Sequence, residues 1–207
     1  MKSFTIPIAE AHVDLFFAPI RCKKDIIRLL MHTVKYVHSH IKINGEVKSN
    51  LKIIIDDMNR FIYESEDKIF SIRSPFHVRE EQDKLIFYTN NIADVDNVIS
   101  SRILTFLNDE RFDSPNCLEF LEPLEELFEN VDRIWAFVHE LMLFEDGYLR
   151  YDYDPTNEDG RLHPLSHLDV CYTTASTFKV GTYHTPCVHY FEQLLDNKYE
   201  AKYLEKA

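Results

Sequence analysis

The chain has 207 residues, 45% of them hydrophobic, with four glycines, eight prolines and no low-complexity tract, which excludes a disordered chain or a long flexible linker and suffices for one substantial core. Thirty-five acidic against 23 basic residues give a formal charge of −12. That balance excludes broad, sequence-independent binding to a phosphate backbone over most of the surface, while solubility, a local basic pocket or a protein partner with a basic surface all fit it.

In chain order, Phe4 to Ile20 is apolar but interrupted by Pro7 and Pro19, and reads as a short helix or strand. Lys24 to Ile41 spaces Ile26, Ile27, Leu30, Met31, Val34, Val37 and Ile41 on one helical face, with Asn44-Gly45 as the stop. His32, His38 and His40 near it share no i,i+4 relation and read as surface histidines. Leu51 to Tyr63 is ambiguous, since Ile53, Ile54 and Ile55 favour a strand while Leu51, Ile54, Ile55, Met58, Phe61 and Ile62 also fit a helix face; helix is the expectation. Short strands are expected at Lys68 to Ser71 and Lys84 to Tyr88, joined by a polar loop with the solvated run Arg79 to Asp83. Helical spacing returns over Asp94 to Leu107 and over the acidic segment Leu118 to Phe128.

Ile134 to Phe144 is apolar on both alternations, which fits a buried central strand, with a helix as the alternative. With a turn at Glu145-Asp146-Gly147, Ile134 to Asp154 reads as a β-hairpin. A third strand is expected at Ser166 to Tyr172. Thr185-Pro186 has the form of an N-cap followed by proline at the first helical position, opening a helix to about Leu195. The expected fold is α+β over a single domain, residues 1–207. Residues 1–130 form a mainly helical N-terminal scaffold, and residues 131–199 a hairpin, a small antiparallel sheet with a polar strand face, and a closing C-terminal helix.

The polar strand face concentrates the chemistry. Strand alternation from Tyr148 to Asp154 puts Arg150, Asp152 and Asp154 on one side, and alternation from Ser166 puts His167, Asp169 and Cys171 on one side. A histidine can move a proton near neutral pH, a carboxylate can fix its tautomer and an arginine can hold a phosphate by two bonds. Arg150, Asp152, Asp154, His163 and His167 are therefore the candidate catalytic set, suited to metal-independent cleavage of RNA. The bland reading is that Arg150 pairs with the aspartates and the histidines cap a loop.

Metal chemistry is weaker. His163, His167, Cys171, His184, Cys187 and His189 are suitable zinc ligands at no recognised spacing, and Asp152 with Asp154 would be a sparse magnesium site. No metal ligand and no cofactor is assigned. Phosphate-binding glycine loops, serine elbows and dinucleotide fingerprints are missing from the sequence. Cys22, Cys117, Cys171 and Cys187 form no CxxC pair and read as reduced thiols. With no signal-like N-terminus and no stretch of roughly 18 apolar residues, the expectation is a cytoplasmic protein with no membrane contact.

Arg150-Tyr-Asp-Tyr-Asp-Pro followed by His163-Pro-Leu-Ser-His167-Leu resembles a bacterial family, domain of unknown function 2290, which carries an aromatic-flanked Arg-x-Asp-x-Asp-Pro, a short loop and His-Pro-x-x-His-Leu. The likeness covers about residues 147–199. A looser likeness, Arg-Tyr-Asp before a His-rich strand, is to the TumE-type toxins of bacterial toxin–antitoxin pairs, for which the resemblance implies a nuclease role. This chain departs from the expected pattern after Leu168, where it has Asp169 in place of an expected histidine, and at Phe178-Lys179-Val180, where an arginine-containing strand is expected. Two functions follow as expectations. One is a toxin–antitoxin or phage-defence protein with an RNA-directed hydrolytic site; the other is a non-catalytic interaction module whose acidic surface docks a basic protein.

Overall fold

A computed structural model describes residues 2–39, 46–55, 57–82, 84–129, 131–170 and 179–201. The chain is mixed α+β, and its contacts fall into two compact units. One joins Met1–Glu10, Glu46–Arg73 and Gly147–Ala207; the other joins Ala11–Gly45 and Ser74–Asp146.

Among the described residues, the first unit is a seven-stranded antiparallel sheet with one helix. Its strands are β1 (Ser3–Pro7), β2 (Asn50–Ile54), β3 (Arg60–Glu64), β4 (Lys68–Arg73), β7 (Leu149–Tyr153), β8 (Ser166–Asp169) and β9 (Lys179–Gly181), hydrogen-bonded in that order. Alternation sorts the side chains. Ile54, Ile62, Ile69 and Tyr151 form one buried face and receive Phe191 of α6 (Val188–Leu195), with Leu149, Leu168, Val188, Leu194 and Leu195 packed around them. A Lys52–Glu192 ion pair, its carboxylate buried, ties the helix to β2. On the opposite face Leu51, Ile53, Phe61, Tyr63, Phe70 and Ile72 are buried, and Tyr63 stacks on Phe70 at 4.5 Å.

The second unit contains α1 (Val13–Phe16), α2 (Lys23–Ser39), α3 (Asn97–Asn108), α4 (Cys117–Phe128), α5 (Ile134–Leu143) and the separate β5–β6 hairpin (His77–Glu81 and Lys84–Tyr88). Asp96 caps α3 through the Val98 and Ile99 amides, both at 2.8 Å. Asn116 caps α4 through the Leu118 amide. Lys23 holds the end of the unit by bonding Asp146 at 2.6 Å and the Phe144 carbonyl at 2.7 Å.

Several expectations are corrected. Leu51 to Tyr63 is not a helix: β2 and β3 pair there around a turn in which Asn59 takes φ +41°, and the β-branched isoleucines supply residues buried on both faces. Among the described residues, 1–130 therefore hold six strands as well as helices, and the sheet is seven strands wide rather than small. Ile134 to Phe144 is not a strand. It folds as α5, because a segment apolar all round satisfies either period and Ala136, Glu140, Leu141 and Met142 favour the helix. The hairpin of Ile134 to Asp154 is thus absent, and β7 pairs with β4 and β8. The polar loop around Arg79 is strand β5. The last helix begins at Val188 with Cys187 at the cap position, since the Thr185 hydroxyl is engaged with Tyr151 at 3.2 Å. The expected stop at Asn44-Gly45 and the strand residues Cys171 and Tyr172 lie outside the described residues.

Candidate functional site on the β7–β9 sheet

Register assembles a charged cluster on the sheet. Asp152 lies opposite both Lys68 of β4 and His167 of β8, while Asp169 lies opposite Arg150 of β7 and Lys179 of β9. Because these partners sit at alternate positions, all six side chains emerge on one face. Tyr151 and Leu168, between them in sequence, go into the hydrophobic cluster under α6. One pair of strands therefore serves the core with one face and the charged cluster with the other.

Arg150 bridges the two carboxylates. Its Nε is 2.6 Å from Asp152 Oδ2, and its terminal nitrogen pairs with Asp169. Lys179 Nζ is 2.8 Å from His167 Nε2 and 3.0 Å from Asp169 Oδ1. His167 is 0% exposed, with Nδ1 2.7 Å from the Pro164 carbonyl. A carbonyl only accepts, so Nδ1 carries the proton and Nε2 presents its lone pair to Lys179. Gly181 makes room for this arrangement, since a Cβ there would come within 3.3 Å of the Pro164 ring.

The rim is more open. His163 Nε2 lies 3.3 Å from Asp154 Oδ2, both side chains about a quarter exposed, and the His163 ring meets the His167 ring edge-on at 4.8 Å. Asp154 accepts from the Asn157 side chain and amide, which holds its carboxyl below the usual carboxylate range. Burial lowers Lys68, with the charge of Arg150 adding to the effect and Asp152 opposing it. Burial pushes the Tyr148 hydroxyl up to about 12 against the pull of Arg150, 3.4 Å away.

The five residues singled out in the sequence divide accordingly. Arg150, Asp152 and His167 share the inner cluster, while Asp154 and His163 pair with each other at its edge. Asp152 and Asp154 do not act as one two-carboxylate site, because Asp154 lies beyond the end of β7 and turns to Asn157 and His163. Lys68, Lys179 and Asp169 join the cluster without having been in the candidate set. Alternation along β8 points to Asp169, whereas Lys68 arrives through a pairing far along the chain. Among the described residues, the one group of three ligating side chains close enough for a metal ion is Asp152, His167 and Asp169; Cys171 lies outside them. Cys22, Cys117 and Cys187 are free and exposed. No described helix is long and apolar enough to cross a membrane.

No family model, no curated protein and no solved structure matches the chain.

Proposed function

We propose that this cluster and its rim are an RNA-directed hydrolytic site in a bacterial protein of the toxin–antitoxin or phage-defence type. The observation that carries the reading is the gathering of Lys68, Arg150 and Lys179 beside a partly exposed His163–Asp154 pair. Three cations suit a phosphodiester and the charge that develops on it. Asp154 lies beside the buried Nε2 of His163, which leaves Nδ1 to take the proton of a ribose 2′-hydroxyl as the hydroxyl oxygen bonds to phosphorus. The bond to the 5′-oxygen breaks, that oxygen takes a proton from solvent, and water then opens the cyclic phosphate. His167, fully buried, is a positioning residue: it anchors Lys179 and faces both carboxylates.

The test is cleavage of end-labelled single-stranded RNA by the purified chain, with divalent metal and separately with chelator, beside growth of cells expressing it. Wild type is expected to cleave and to arrest growth, and His163→Ala to lose roughly 100-fold or more of the rate with its circular dichroism unchanged. Intact RNA and normal growth with wild type overturn the reading.

The complete burial of His167 and the pairing of its neighbours favour a second reading, a structural polar network in an interaction module whose acidic surface meets a basic protein. Under it, the same assays show harmless wild type, and Arg150→Gln lowers stability without any loss of activity to measure.

A further inference from the structure

Three acceptors converge at the floor of the cluster. His167 Nε2 is 3.9 Å from Asp152 Oδ2 and 4.0 Å from Asp169 Oδ2, and one ligating atom from each residue lies within 4.8 Å of the other two. Two carboxylates and an imidazole lone pair cannot satisfy one another; they need positive charge between them. Lys179 supplies it here, with its ammonium 2.8 Å from Nε2 and 3.0 Å and 3.3 Å from the two Asp169 oxygens. The Nδ1 proton held by the Pro164 carbonyl is the outer-sphere bond that orients a metal-binding histidine and keeps the other nitrogen unprotonated. Arg150 pairs with the same two oxygens, Asp152 Oδ2 and Asp169 Oδ2, so a bound ion would share each of them with the guanidinium.

We propose that Asp152, His167 and Asp169 form a binding site for a first-row divalent cation, and that Lys179 occupies it as a competing ammonium when the cation is absent. Three donors bonded at about 2.1 Å to one first-row ion lie roughly 3.0–3.6 Å from one another, so these side chains turn inward by up to roughly 1 Å as the ion binds. One imidazole with two carboxylates favours manganese or zinc over magnesium, which binds oxygen and keeps its waters. Lys179 sits on a flexible stem with a partly exposed side chain and can swing outward, where its charge is released towards a bound phosphate. The cation thus exchanges for the lysine at the floor and returns that charge to the rim.

The proposal stands apart from the hydrolytic reading, since binding is read without RNA. The chelator-treated full chain is titrated with MnCl2 and with ZnCl2 by calorimetry, and its thermal unfolding is followed with and without each salt. One ion per chain is expected, with a raised unfolding temperature. Lys179→Ala is expected to bind about tenfold more tightly because the competitor is gone, and Asp152→Asn and Asp169→Asn at least tenfold more weakly. Asp152 is the more exposed carboxylate, so its variant carries the test where Asp169→Asn does not fold. No saturable binding to wild type or Lys179→Ala at millimolar salt overturns the site, as does undiminished binding by Asp152→Asn. Equal affinity of wild type and Lys179→Ala overturns the exchange. Metal binding without RNA cleavage leaves this site and removes the hydrolytic one; cleavage without metal binding does the reverse.

Discussion

His32 lies on α2, where burial, together with the charges of Lys35 and Arg28, lowers its pKa from the ordinary 6.5. The unfolded chain therefore takes up that proton at higher pH than the folded one, and stability falls as pH drops from about 6.5 through the folded value. His32→Gln is expected to lose less stability than wild type between neutral and mildly acidic pH, compared by urea denaturation at the two conditions. Asp96 offers a test with no titration in it: both of its amide bonds vanish in Asp96→Ala, which should cost about 1 kcal/mol on the same assay. Legibility at this scale followed distance along the chain. The shared face of Asp152 with Arg150 was readable because alternation is a local rule, and His167 with Asp169 likewise. Lys68 was not, because nothing between residues 68 and 152 announces that β4 will lie beside β7. Thr185 was misread for a related reason, since its hydroxyl answers to Tyr151 rather than to the helix ahead of it.

Elements were legible where one face alone is buried. α2, α3 and α4 each carry an apolar stripe at helical spacing, and all three form near the expected positions. β2, β3 and α5 were misread because burial on several sides erases the period: Phe61, Ile62 and Tyr63 are buried in succession on a strand, and α5 is apolar nearly all round. α6 shows the packing term most directly, because Phe191 is its one fully buried hydrophobic anchor among Ile54, Ile62, Ile69 and Tyr151. Phe191→Ala should cost about 3–5 kcal/mol in urea denaturation. A loss below about 1 kcal/mol would mean that the helix is held by Lys52–Glu192 and its flanking leucines instead.

For the whole molecule, a charge of −12 confines any RNA contact to a small area. Lys68, Arg150 and Lys179 are three cations, and Arg150 and Lys179 are already paired with Asp152 and Asp169. The logarithm of affinity for single-stranded RNA should then fall against the logarithm of salt with a slope no steeper than about −2, read by anisotropy across a potassium chloride series. A slope several times steeper would mean that RNA is held elsewhere.

Ser71 pairs with Leu149, so β4 and β7 are the arms of a hairpin whose loop is the entire stretch 72–148. During synthesis β1 to β4 emerge first, and β4 then waits with one edge unpaired while that whole stretch is made. Its Ile69, Phe70 and Ile72 are the kind of segment that recruits a foreign strand. Chains truncated after Tyr148 should therefore sediment as aggregates although they contain every residue of the second unit, while chains reaching through β7 cover the edge themselves.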